Sequence, residues 1–444
     1  MAKSKNLFVC QSCAAQTTKW AGKCENCGEW NTLVEQLSDS LTSRGSAGKP
    51  LSAEKLDAVR AQNEQKRIPS TFADIDQVLG GGIVRGGVYL LAGQPGMGKS
   101  TLLLQIAGAI SQAHKVLYVS GEESLAQLKM RAERLNIDPS NLDVAASTDG
   151  HNIAASIASK AYELVVIDSI QTMSISEISS APGSVSQITN TSNVLTRAAK
   201  NSGTSVIMVG HVTKEGNIAG PKVLEHLVDV VLNFEGDRYG GFKVIRAIKN
   251  RYGATSEVAI MEMKDEGLVI ASNPSEALLS ERQVSDGSVV LATIEGSRPL
   301  LVEVQALVSP TSFGYPKRTA SGFDLNRLNL LIAMLSRRTK LNLAEKDVFI
   351  NIVGGIKITD PAADLAVCMA IASASKEMML KDDAVVFGEV GLSGEVRHVV
   401  HVDKRAQEAK KMGFKYAIGP KSTQKFVKPV QNIRDALNTT LSKK

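Results

Sequence analysis

A run of apolar residues, Val88–Ala92, enters the loop Gly93-Gln94-Pro95-Gly96-Met97-Gly98-Lys99-Ser100, and a helical stretch that begins near Thr101 (TLLLQIAGAI) leaves it. The loop has the form G-x4-G-K-[ST], and its place between a buried strand and a helix constrains the fold more than any other feature of the chain. Its glycines let backbone N–H groups wrap phosphates, with the positive end of the helix behind them. Lys99 is placed to reach the β- and γ-phosphates of a nucleotide, and the Ser100 hydroxyl to bind Mg²⁺. Val116–Val119, Leu164–Ile167 and Ser205–Val209 are further apolar runs separated by helical stretches. Strands that are continuously apolar rather than alternating need cover on both faces, so residues 68–272 predict a parallel sheet between helices.

Two of these strands end in acids. Leu164-Val165-Val166-Ile167-Asp168 has the Walker B arrangement, which holds Asp168 near the Mg²⁺. The strand Val116–Val119 runs into Ser120-Gly121-Glu122-Glu123, on the side where open α/β sheets bind their ligands. Hydrolysis needs a carboxylate to orient or deprotonate water. Glu122 is the favoured base and Glu123 the alternative, since a helix N-terminus attracts an acid pair for electrostatic reasons alone.

Cys10-x2-Cys13 and Cys24-x2-Cys27 stand ten residues apart. Two such pairs can close on one ion as a tetrahedral four-thiolate zinc site, whose charge Lys19 and Lys23 offset. Disulfides or a redox pair are the alternatives, and disulfides fit poorly with a cytosolic chain. A segment this small has little core, so the metal supplies its folding energy. The fifth cysteine, Cys368, sits in the apolar stretch Ala362–Ala374 and reads as a core residue.

The chain of 444 residues divides by composition into residues 1–36, a linker at 37–67 with at most a weak helix, the sheet-forming region 68–272, and a mixed α/β region from 273 onward whose core is 348–444. Its apolar runs are far shorter than the ~20 residues of a spanning helix. Lys3 and Lys5 are followed by only Leu7–Cys10 before Gln11 and Ser12, which is no secretory h-region, so the expectation is a cytoplasmic protein. Between Lys404 and Lys444 eleven cations face two acids, a local charge of +9, while the remaining 40 cations and 43 acids leave −3. Such asymmetry suits a polyanion partner, and equally a solvated helix face with a lysine tail.

The segments DIDQVLGGGIVRGGVYLLAGQPGMGKST, YVSGEES and VVIDSIQT resemble the core of RecA-like recombinases and helicases. Together with the cysteine pairs and Lys249-Asn250-Arg251-Tyr252-Gly253, they resemble the bacterial RadA/Sms DNA repair family over essentially the whole chain. That pentapeptide matches the family's KNRFG motif, with Tyr252 in place of Phe. The resemblance implies Glu122 as the catalytic acid. It implies that Lys249 and Arg251 reach a neighbouring subunit's γ-phosphate or DNA phosphates. It also implies that His211 senses nucleotide at the head of a DNA-binding loop, Thr213 to Lys222. The zinc module would dock a RecA-type recombinase.

Residues 348–444 are similar to the proteolytic domain of Lon, through Gly354-Gly355-Ile356-Lys357-Ile358-Thr359-Asp360-Pro361 and Gly388-Glu389-Val390-Gly391-Leu392-Ser393-Gly394-Glu395. Lon places its nucleophilic serine after a proline, where this chain has Ala362. Spacing puts the dyad lysine near Arg405, or on Lys404 if the register slips by one. An arginine cannot serve as a neutral base. The domain therefore keeps the fold without the peptidase chemistry.

These readings converge on an α/β chain with a zinc module in front, using ATP, Mg²⁺ and Zn²⁺. The expected activity is a DNA-dependent ATPase or helicase that promotes branch migration of strand-exchange products in recombinational repair. Single-stranded and branched DNA, a RecA-type recombinase and further copies in a six-membered ring are the expected partners, without a membrane. The rival readings are an ATP-dependent protease of the Lon type and a non-motor DNA scaffold regulated by ATP. A regulatory ATPase of the KaiC type shares the core but does not explain the cysteines.

Overall fold

A computed structural model describes residues 7–10, 15–30, 32–36, 67–211, 223–236, 242–312 and 314–442. The linker segment 37–66 and the loop Thr213 to Lys222 lie outside the described residues. The chain divides into two compact units, Met1–Phe234 with Ile245–Thr255 and Lys264–Leu268, and Glu235–Val244 with Ser256–Met263 and Val269–Lys444. Among the described residues no helix is long and apolar enough to cross a membrane.

At the N-terminus, β1 (Leu7–Cys10), β2 (Gln16–Thr17) and β3 (Leu33–Gln36) form an antiparallel sheet in the order β2-β1-β3. Among the described residues its buried core is Cys10, Cys24 and Leu33. So small a core cannot hold a fold by apolar burial alone.

The nucleotide-binding sheet follows. In chain order come α1 (Ala73–Leu79), β4 (Val88–Gly93), α2 (Lys99–Ser111), β5 (Val116–Ser120), α3 (Leu125–Arg134), β6 (Leu142–Ala146), α4 (Gly150–Ala158), β7 (Leu164–Asp168), α5 (Val185–Ser202), β8 (Ser205–His211), α6 (Val223–Leu227) and β9 (Val230–Gly236). Strands β10 (Phe242–Asn250), β11 (Val258–Lys264) and β12 (Gly267–Ile270) complete the order β12-β11-β10-β9-β4-β8-β7-β5-β6. From β9 to β6 every neighbouring pair is parallel. Strands β4, β5 and β7 are buried at every residue, as their continuous apolar runs require. The edge strand β6 is half-exposed, and its sequence LDVAA carries no such run. The chain crosses from β4 over β8 and β7 to reach β5, and this reversal opens a crevice at the C-terminal ends of those strands.

In the second unit α7 (Pro274–Leu279), β13 (Ser288–Glu295), β14 (Arg298–Pro310), β15 (Arg318–Ser321), α8 (Leu325–Arg338), β16 (Lys346–Ile352), α9 (Ala363–Lys376), β17 (Met379–Leu380), β18 (Ala384–Val386), β19 (Glu389–Val390), β20 (Val396–Arg397), α10 (Val402–Lys411), β21 (Tyr416–Gly419), β22 (Val427–Pro429), α11 (Ile433–Thr440) and β23 (Leu441–Ser442) follow one another. A mixed seven-stranded sheet runs β15-β16-β14-β13-β18-β21-β22, and β17 pairs with β23 as β19 does with β20. Strand β14 is long because β16 pairs with it as far as Pro310 opposite Lys346. Helix α9 is buried on every side from Ala363 to Ser373, as a helix apolar all round must be. The fold is thus α/β in both large parts, with a cysteine ribbon in front.

Candidate functional site

The phosphate loop leaves β4 at Gly93, where a Cβ would lie 2.5 Å from the Phe234 carbonyl oxygen. No side chain fits there. Gly98 has φ 104° and caps α2, a left-handed conformation that glycine adopts without strain. Helix α2 starts at Lys99, two residues before the position the apolar pattern suggests, so the free N–H groups of its first turn face the loop. Gln94, Pro95 and Gly96 are exposed, and buried Met97 anchors the loop from beneath. The Lys99 ammonium is buried and donates to the Gly93 and Gln94 carbonyl oxygens, 2.8 Å each. Burial lowers its pKa to about 8, against the opposing pull of Asp168 and Glu122.

Asp168 ends β7, is buried, and accepts a 2.6 Å hydrogen bond from the Tyr118 hydroxyl on β5. Ser120 lies opposite it in register, and the Gly121 amide donates to its carbonyl oxygen at 2.8 Å. The Ser120 hydroxyl then accepts from the amides of Glu122 and Glu123, which fixes the turn that carries both acids. The two acids part there. Glu123 turns to Arg131 on α3 and pairs with it. Glu122 remains 45% exposed; its Oε1 accepts from the Ser169 hydroxyl and lies 3.5 Å from His211 Nε2. His211 stands beside Gly93 in the β4–β8 register, and its buried Nδ1 has no hydrogen-bond partner among the described residues. Lys99, Ser100, Glu122, Asp168 and His211 therefore share one crevice. Sequence reasoning did not find Ser169, Tyr118 or Arg131. Ser169 directly follows the Walker B acid, which was the available signal, whereas Tyr118 is a strand residue like its neighbours.

Lys249 and Arg251 lie at the other end of the sheet. Lys249 Nζ donates to the Glu225 and Val228 carbonyl oxygens, satisfying the last carbonyls around α6. Burial and the nearby Arg251 charge lower its pKa. Arg251 Nη1 donates to Asp229 Oδ1 at 3.2 Å, and Asp229 Oδ2 accepts from the Val88 amide at the start of β4. Burial opposes the charge of Asp229, and hydrogen bonds from Lys200 and Val88 hold its carboxyl below the ordinary range. The other motif residues are structural. Asn250 donates to Val78 O, the Tyr252 ring lies 6.1 Å from that of Tyr89, and Gly253 packs on Gly80.

Cys10, Cys24 and Cys27 bring their sulfurs within 4.8 Å of one another, and Cys13 lies outside the described residues. The Cys24 amide donates to Glu29 O and the Gly28 amide to Cys24 O, a tight turn completed by Gly28 at φ 77°. Three convergent thiols at this spacing fit a tetrahedral zinc ion. Lys23 lies over the Trp30 ring, 5.8 Å from its centre, beside the cluster.

In the second unit Ala362 is fully buried at the N-terminus of α9. Asp360 accepts from the Ala362 and Ile294 amides and from Thr293 Oγ1, 3.0 Å each, and pairs with Arg405 at 2.7 Å. Burial works against the Asp360 charge, but Arg405 lowers its pKa. Arg405 is itself fully buried and donates to the Val400 and Ala292 carbonyl oxygens. It belongs to this core, which corrects its count among the cations available to a polyanion. Lys404 turns away and donates to Ser297 O. Two residues past Ala362, Asp364 is buried and paired with Arg327.

Family models match three stretches of the chain. One described as a rubredoxin metal-binding domain covers residues 8–35, one described as an AAA domain covers 52–217, and one described as subunit ChlI of Mg-chelatase covers 329–423. The DNA repair protein RadA of Bacillus subtilis is 45% identical over 99% of this chain and 100% of its own. That of Aquifex aeolicus is 44% identical over 98% and 99%, and that of Helicobacter pylori 46% identical over 95% of each. The crevice is accordingly that of an ATP-binding AAA domain, and the cysteine cluster that of a zinc ribbon.

Proposed function

The chain belongs to the RadA family of DNA repair proteins, and on that premise we propose that it is a ring-forming, DNA-dependent ATPase that drives branch migration of recombinase-made strand-exchange products. The observation that carries this reading is the division of the catalytic groups between the two ends of one sheet. Glu122 faces the phosphate loop with a half-exposed carboxylate, fit to orient water. Arg251 sits at the start of β4, and a strand of six residues places it about 17 Å from the loop at the other end. From there it serves a neighbour's nucleotide, the role of an arginine finger supplied in trans. A site completed across protomers requires assembly, which a six-membered ring supplies.

Ser100 and Asp168 would hold Mg²⁺, which neutralises charge on the β- and γ-phosphates when bound. Lys99 then exchanges its backbone carbonyls for phosphate oxygens. The zinc ribbon would dock the recombinase, and Cys24→Ser should lose the metal and unfold the ribbon. Both tryptophans, Trp20 and Trp30, lie in that ribbon, so their emission reports on it alone. Duplex DNA would meet the exposed lysines Lys410, Lys411, Lys415 and Lys421, through contacts that weaken steeply with salt. The buried Arg405–Asp360 pair beside Ala362 argues against a protease. Extension of D-loops by purified protein with recombinase, dependent on ATP and lost in Lys99→Ala, tests the motor reading; ATP-independent or absent extension would count against it.

A further inference from the structure

We propose that Asp229 is a positioning residue, which presents Arg251 to the neighbouring protomer and ties it to the strand that bears this protomer's own phosphate loop. The inference rests on the trans reading of Arg251 given above and adds the group that makes it work.

Asp229 lies between α6 and β9, and its side chain is 3% exposed, whereas Arg251 is 57% exposed. The buried carboxylate splits its two oxygens. Oδ2 accepts from the amide of Val88, the first residue of β4, and from Lys200, while Oδ1 accepts from Arg251. The backbone repeats the pattern: the Asp229 amide donates to Val88 O at 2.8 Å, and the Arg251 amide donates to Asp229 O at 3.2 Å. Burial, and after it the charge of the same carboxylate, pushes the Tyr252 hydroxyl's pKa up. Lys249, the other cation of the motif, is held by the carbonyls of Glu225 and Val228 on the same short segment. Residues 225–229 thus carry both cations and grip the head of β4.

This arrangement has a physical consequence. A guanidinium on a flexible stem loses rotamer freedom when it must reach a distant phosphate. A charge-assisted bond to a buried carboxylate removes part of that cost beforehand and leaves the rest of the fork free for the neighbour. Because β4 is a rigid strand with the phosphate loop at its far end, the same carboxylate links the state of one nucleotide site to the aim of the finger that serves the next.

The test uses the full-length chain, with turnover followed against protein concentration and binding followed with a fluorescent ATP analogue. Asp229→Asn keeps the shape and removes the charge. It is expected to bind the analogue within about twofold of wild type and to lose kcat by tenfold or more with little change in KM, as Arg251→Ala should. Mixing Asp229→Asn with Lys99→Ala protomers should restore turnover, because the second supplies an intact finger and the first an intact loop; a merely misfolded protomer would not be restored. Asp229→Glu, which retains the charge but displaces it, should show a smaller loss restored by the same mixing. Wild-type turnover in Asp229→Asn, or a loss that mixing does not restore, overturns the proposal. Full turnover in Arg251→Ala overturns the trans reading and this proposal with it, while loss in Arg251→Ala alone overturns only the role of Asp229.

Discussion

Two places in this molecule sit where chemistry would be expected, and they treat their charges in opposite ways. At the ends of β4, β5 and β7, Glu122 is half-exposed, His211 Nδ1 has no partner among the described residues, and Lys99 is held by two carbonyls of its own loop. At the N-terminus of α9, Asp360 accepts hydrogen bonds from two amides and a hydroxyl and is neutralised by a buried arginine, while Asp364 is paired with Arg327. Among the described residues there, Arg405 Nη2 is left unmatched. A site that acts on a ligand keeps polar groups that the ligand will satisfy. A site that has become scaffold satisfies them internally, because an unpaired buried charge is costly.

The largest expected effect lies on the first side. Lys99→Ala should abolish nucleotide binding or turnover while leaving the fold intact, since the lysine's present partners are two loop carbonyls. Calorimetric titration with ATP checks this, and undiminished binding would erase the contrast. On the second side, Arg405→Ala should destabilise the C-terminal unit by about 3–5 kcal/mol, the usual cost of leaving a buried partner unpaired. Thermal unfolding measures it, with ATP binding unchanged. Rebuilding a dyad as Ala362→Ser with Arg405→Lys should yield no casein cleavage, because Asp360 would keep the new lysine protonated. Cleavage would show that the scaffold was two substitutions away from an enzyme.

The smallest effect is a pH dependence. Burial lowers the pKa of free Lys99 to about 8, and bound phosphates restore its charge. Binding therefore takes up a proton above that pH, so ATP affinity should be flat below about 8 and fall by up to tenfold per unit above it. Isothermal titration in buffers of different ionisation enthalpy reads the proton uptake directly. A flat profile to pH 9.5 would mean that Lys99 is charged in the empty loop.

Legibility in the sequence follows the same physics. Strands β4, β5 and β7 were readable because each opens with a continuous apolar run, and Gly93–Ser100 because a phosphate cradle tolerates few alternatives. The edge strand β6 had no such signature. Glu122 and Glu123 were visible as a pair, but their rotation is set by Arg131 on the next helix. Asp229 was invisible because its meaning lies with Val88, 141 residues earlier. Ala362 announced a missing hydroxyl, yet nothing in the sequence said that Arg405 would be buried rather than exposed on the basic C-terminal stretch.

On the proposed reading, chemistry resides at the strand ends of the first unit, with Glu122 as its base. Steady-state ATP turnover of Glu122→Gln and Glu123→Gln, measured with DNA and at saturating ATP, tests it most directly. Glu122→Gln should lose turnover by on the order of 10²–10⁴ with ATP binding intact, the range for a lost general base, while Glu123→Gln should keep most of its activity. Full activity in Glu122→Gln with loss in Glu123→Gln would contradict it.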